Sequence, residues 1–79
     1  MLVLYMLTRG TADPTGASVP LHLAVNGTLE VGDQLNVTLA GDATEYLVGD
    51  AIEQAEGVGV PPMRELVAKL REHEVPVYV

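Results

Sequence analysis

The feature that most constrains this chain is the run Leu2-Val3-Leu4-Tyr5-Met6-Leu7, closed by Thr8, in which six successive side chains are apolar or aromatic. An amphipathic strand alternates and an amphipathic helix repeats every three or four residues; this run does neither. A short continuous apolar segment with β-favouring members predicts a strand covered on both faces, as strands of parallel sheets are. It is far too short to cross a bilayer and has no basic segment before it. It therefore reads as a buried strand over 2–8 and not as a signal peptide.

The rest of the chain alternates in kind. Thr8-Arg9-Gly10-Thr11-Ala12-Asp13-Pro14-Thr15-Gly16 is dense in turn residues. Ala17, Leu21, Ala24, Val25, Thr28 and Leu29 then recur at helical spacing. Pro20 fits only a first turn, which points to Ser18, or else Thr15, as the cap. Gly32 stands where this helix should stop. Gly27 inside it costs about 1 kcal/mol of helix propensity, for which close packing against a neighbouring backbone is the expected reason. Leu35, Val37 and Leu39 alternate with Gln34, Asn36 and Thr38, predicting a second strand over 34–40 with one less buried face. A weaker helical segment spans 43–55 with a break at Gly49-Asp50. After the flexible Gly57–Pro61 link comes a clear helix over 62–73, with Leu66, Val67 and Leu70 on one face and Glu65/Lys69 as an i,i+4 pair on another. Residues 75–79 read as a third strand. Strands alternating with helices imply right-handed crossovers and one α/β domain over 1–79, a small three-layer parallel sheet with flanking helices. Three strands make a thin sheet, so the domain is expected to be incomplete at its C-terminal end.

Composition narrows the function. With 11 acidic against 4 basic residues and a net charge of −7, the chain lacks the clustered cations that nucleic acid requires. It has no cysteine, hence neither a disulfide nor a thiolate metal site. The only imidazoles are His22 and His73; no third ligand accompanies them, so no metal is expected. His22 reads as a hydrogen-bonded interior or interface residue, and His73 as a last-turn residue favouring the helix dipole. Tyr5 and Tyr78 read as core or interface groups, Met6 and Met63 as packing residues. Asn26-Gly27-Thr28 and Asn36-Val37-Thr38 match glycosylation sequons by chance. No dinucleotide fingerprint, P-loop lysine or acid–base dyad appears, so no cofactor and no catalytic residue is assigned. Hydrophobic residues make up 48% of only 79 residues, more than so small a domain can bury. Part of that surface is expected to lie against another subunit, leaving an isolated monomer marginally stable.

In an open parallel sheet, ligands bind outside the carboxyl ends of the strands. Thr8 to Gly16, Ala40 to Thr44 and Val79 should meet there. Thr8, Arg9, Gly10 and Thr11 would offer backbone N–H groups, hydroxyls and a guanidinium to a small anion near a helix N-terminus. The structural alternative is a solvated turn. Gly41 and Asp42 would let a ligand approach the backbone, or would form a turn glycine and the cap of the next helix.

Three stretches resemble the DsrE/DsrF-like sulfur-relay family. "LVLYMLTRGTADPTGASVPLHLAVNG" is similar to its first strand, loop and helix, "LNVTLAGDATEYL" to its second strand and turn, and "GVGVPPMRELVAKLREHEVPVYV" to a later helix and strand. The resemblance implies a flavodoxin-like topology, a cytoplasmic location, a homo-oligomer (trimer or hexamer) and a sulfur-relay protein as partner. Persulfide relay in that family needs a cysteine at the carboxyl end of the last of these strands. This sequence ends there, at Val79, without one, so the 79 residues are not themselves competent for sulfur transfer. The alternative is a non-catalytic oligomerisation or small-anion/protein-binding module of the same fold, with no nucleic acid and no membrane as partner.

Overall fold

The computed structural model describes residues 1–79. Strand β1 (Leu2–Leu7) leads through the turn-rich loop to helix α1 (Pro14–Leu23), which runs on as a π-helical turn over Ala24–Thr28. Strand β2 (Gln34–Leu39) follows, then a 3₁₀ segment over Gly41–Leu47, the single turn α2 (Ala51–Gln54), helix α3 (Met63–Glu72) and the two-residue strand β3 (Val77–Tyr78). All three strands are parallel, in the order β1-β2-β3, with Leu2 to Leu7 aligned to Gln34 to Leu39 and Val77-Tyr78 to Val37-Thr38. The α/β expectation and the alternation of elements therefore hold.

The three layers do not. Both crossovers step the same way across the sheet, and right-handed crossovers that step the same way lie on the same face. A flavodoxin-like order would place β1 between β2 and β3 and send helices to both faces; here β1 is an edge strand. Side chains show the result. Leu7, Leu35, Val37 and Leu39 are buried and join the core with Ala17, Leu21, Ala24 and Val25 of the first helix and Met63, Leu66 and Leu70 of α3. The alternate residues of β1 face away: Leu2, Leu4 and Met6 are 53%, 71% and 62% exposed. The domain has two layers, and one sheet face is bare. Met6, expected as a packing residue, belongs to that bare face, while Met63 is buried.

Helix α1 begins earlier than its apolar spacing suggests. Asp13 is its cap, its carboxylate accepting from the Gly16 N–H at 2.9 Å, with Pro14 at the first position. Neither Ser18 nor Thr15 caps it. Ser18 lies inside the helix, fully buried, its hydroxyl without a partner. Gly32 ends the segment at φ +83°. Gly27 does not mark a close approach, since a Cβ there would meet open space. The Glu65–Lys69 pair is replaced by a contact between helices: the Lys69 ammonium donates to Asn26 Oδ1 (2.8 Å), and Asn26 Nδ2 donates to His22 Nδ1 (2.9 Å). His73 closes α3 as expected, its Nδ1 donating to the Lys69 carbonyl at 2.9 Å. The third strand is shorter than 75–79 because only Val77 and Tyr78 pair with β2. No helix is long and apolar enough to cross a membrane.

Neighbouring positions of β2 should report the two layers directly. At concentrations low enough to keep the chain monomeric, Leu35→Ala is expected to cost about 2–5 kcal/mol of unfolding free energy, and Asn36→Ala, on the bare face, within about 0.5 kcal/mol. Equal costs in denaturant titrations would show a sheet covered on both sides.

Candidate functional site

The loops at the carboxyl ends of β1 and β2 meet backbone to backbone. Gly10 is buried at the centre of this contact. A Cβ on it would lie 2.6 Å from the Asp42 carbonyl oxygen and would also strike the Glu45 carboxylate. Glycine is required here for the close approach. Its carbonyl oxygen accepts twice, from the Asp13 N–H (3.1 Å) and from the buried Tyr46 hydroxyl (2.9 Å). Burial, helped by the nearby Asp13 and Glu45 carboxylates, raises the Tyr46 pKa above 10.0, which keeps the phenol protonated as the donor this bond needs.

The groups expected to receive an anion are engaged by the chain's own carboxylates. Glu45 Oε1 accepts from the Thr11 N–H at 2.9 Å and from the Thr11 hydroxyl at 3.2 Å. Asp13 occupies the N-terminus of α1, the place where an anion would otherwise gain from the helix dipole. Arg9 points to the same carboxylate, with Nε 3.9 Å from Asp13 Oδ2 and its side chain mostly exposed. Thr44 donates to the Gly41 carbonyl at 2.8 Å, and Gly41 takes φ +57° as a turn glycine. Asp42 does not cap the following segment: the 3₁₀ turn starts after Ala40 without a side-chain cap.

So the fold gathers Gly10, Thr11 and Asp42, with Gly41 beside them, while Thr8 and Arg9 stay on the exposed outer side. These two loops and the 3₁₀ segment carry three carboxylates, Asp13, Asp42 and Glu45, against one cation, Arg9, a balance that repels a further anion. Sequence reading missed Asp13, Glu45 and Tyr46. The Asp13-Pro14 pair was a legible helix start; Glu45 and Tyr46 carried no local signal, because their partners lie 34 and 36 residues away.

A second concavity of about 220 Å³ opens between β3, the 3₁₀ segment and α3, lined by twelve hydrophobic side chains and Arg71. Most of its walls are core residues, among them Leu7, Val37, Leu39 and Met63. The Tyr46 hydroxyl at its wall is already committed to Gly10. This is the edge of the core left open beside the short β3. No grouping of histidine and carboxylate side chains in the fold can hold a metal ion.

Two measurements check the strand-end closure. Tyr46→Phe is expected to cost about 1 kcal/mol. The raised pKa makes the Tyr46 contribution fully present below pH 10 and lost as pH rises beyond it, so the wild-type melting temperature should fall there and the variant's less steeply. A wild-type alkaline fall no steeper than the variant's would remove Tyr46 from the account. Separately, titration with inorganic phosphate should leave the melting temperature unchanged; a rise saturating with concentration would show that an anion displaces Glu45.

No protein-family model matches the chain, and comparisons with curated proteins and with solved structures return no match.

Proposed function

We propose that this chain is a non-catalytic assembly module whose bare sheet face is buried against a second copy of itself. The observation that carries the reading is the face itself. Leu2, Leu4 and Met6 of β1 stand there beside Gln34, Asn36 and Thr38 of β2 and Tyr78 of β3, and none of the seven carries a charge. Parallel sheets normally have both faces covered. In a chain with 11 acidic residues, a charge-free face is a surface on which two copies can meet without burying like charges. Gln34 and Asn36 can exchange amide hydrogen bonds across a two-fold, and the β1 side chains supply the apolar centre of an isologous contact.

The resemblance to DsrE-like proteins enters this reading through its assembly part. Sulfur relay would need a thiol to hold the persulfide, and these 79 residues contain none. Small-anion binding at the strand ends is disfavoured by the Glu45 and Asp13 carboxylates already on those donors.

Sedimentation velocity across the micromolar range is expected to give a mass that is a multiple of 8.4 kDa. Leu4→Lys places an ammonium at the centre of the face without touching the core, and should shift the equilibrium toward the monomer. A wild-type protein that stays monomeric, or a Leu4→Lys variant that associates as well as wild type, overturns the proposal.

A further inference from the structure

The free edge of β1 is a second surface, distinct from the sheet face, and its backbone geometry determines what it can pair with. The phase of the β1–β2 ladder is fixed by its two ends: the Gln34 N–H donates to the Met1 carbonyl (3.0 Å) and the Ala40 N–H to the Leu7 carbonyl (2.9 Å). Along a strand, successive residues turn their N–H and C=O groups to opposite sides. The odd-numbered residues of β1 therefore bond to β2. Leu2, Leu4 and Met6 turn three N–H and three C=O groups outward, where no turn, loop or side chain of the protein meets them.

Edge strands are usually blunted by a charge, a proline, a bulge or a covering segment. None is present here. Leu2–Leu7 contains no charged residue and no proline, and its register with β2 runs unbroken over six pairs. The flank of the first helix above this edge carries little bulk. His22 and Asn26 face α3 through Lys69. Gly16, Pro20 and Leu23, spaced i, i+4, i+7 within α1, lie away from that contact. The three are uncharged, and the Asp13 carboxylate packs against Gly16 at the start of the helix.

We infer that β1 pairs antiparallel with β1 of a second copy about a two-fold axis at Leu4, joining two three-stranded sheets into one of six strands. The register is self-complementary. Leu4 faces the partner's Leu4, and Leu2 faces the partner's Met6. Each of these pairs exchanges two hydrogen bonds, so all outward groups of both strands are satisfied with none left over. The axis stands perpendicular to the sheet, so the helices of both copies stay on the same side. On the other side, Leu2, Leu4 and Met6 of the two copies form one apolar stripe, a wider version of the face described above. A two-fold contact of this kind fits a dimer or a hexamer and does not by itself build a trimer.

The inference rests on the assembly reading in taking a second copy as the occupant, and adds a second contact, edge to edge, which leaves the joined sheet face free for the face-to-face contact proposed above. It is tested by NMR on a sample mixing isotope-labelled and unlabelled intact chains. In the proposed register Val3 and the partner's Tyr5 form the close, non-hydrogen-bonded pair, so an intermolecular contact between their Hα protons is expected. The Leu2, Leu4 and Met6 amides should exchange with solvent as slowly as those of Val3, Tyr5 and Leu7. Leu4→Pro removes the central donor without touching the β1–β2 ladder and should weaken association about tenfold or more. An oligomer lacking the intermolecular contact, with fast exchange at the three even positions, overturns the edge pairing and leaves the assembly reading standing. A protein that is monomeric under these conditions overturns both.

Discussion

The handedness of the two crossovers governs this structure. A parallel strand pair can be joined with low strain only by a right-handed connection, and two such connections taken in the same direction put α1 and α3 on one side of the sheet. Everything that distinguishes the chain follows. One face of β1 and β2 lies in a core of 14 hydrophobic residues, and the other is bare. β1, which a doubly wound order would have placed inside the sheet, becomes an edge. Its apolar side chains are surplus to the core of the protomer, and its outward peptide groups are surplus to the ladder. Both surpluses sit on the same three residues, Leu2, Leu4 and Met6.

The carboxyl ends of the strands are organised on a different principle. In many α/β domains this end is left open, with helix N-termini and loop amides directed at a ligand. Here the chain closes it with its own acids. Asp13 takes the first turn of α1, Glu45 takes the Thr11 donors, and Tyr46 ties Gly10 to the 3₁₀ segment. Each is a modest interaction, about 1 kcal/mol net. Together they fix the backbone contact that only a glycine at position 10 permits. The electrostatic consequence is a rim dominated by carboxylates, which suits holding the fold together better than attracting an anion.

How much of this was legible in the sequence depended on whether the deciding contact was local. Helix α3 was readable almost to its ends, because Leu66 and Leu70 repeat at the helical period and Pro62 marks the start; the turn that follows it, at Glu74 with φ +54°, uses no glycine that would announce it. β2 was readable from its alternation, and its half-polar pattern foretold that one side would face away from the core. β1 was readable as a strand but misleading as to its surroundings. Continuous apolarity says that both faces avoid water; it does not say that the same chain covers both. The strand ends were located by topology alone, which correctly brought Gly10, Thr11 and Asp42 together. Their chemistry was set by Glu45 and Tyr46, more than thirty residues distant, and no spacing rule reaches that far.

The apolar content of the chain now has a physical place. An 8.4 kDa domain with 16 buried residues has a thin core, and for domains of this size association is one route to further stability. Charge distribution decides where association can happen. With a net charge of −7, two copies repel at long range, by an interaction that falls off within about 8–10 Å at physiological salt. The acids therefore discourage contact wherever they line the surface, and the uncharged face and edge carried by β1 are permissive. A charge placed on β1 would make the protomer more soluble alone and would cost the core nothing, since the positions concerned are already exposed. That β1 instead carries Leu2, Leu4 and Met6 at those positions is the physical reason for treating its outer side as a contact surface in its own right.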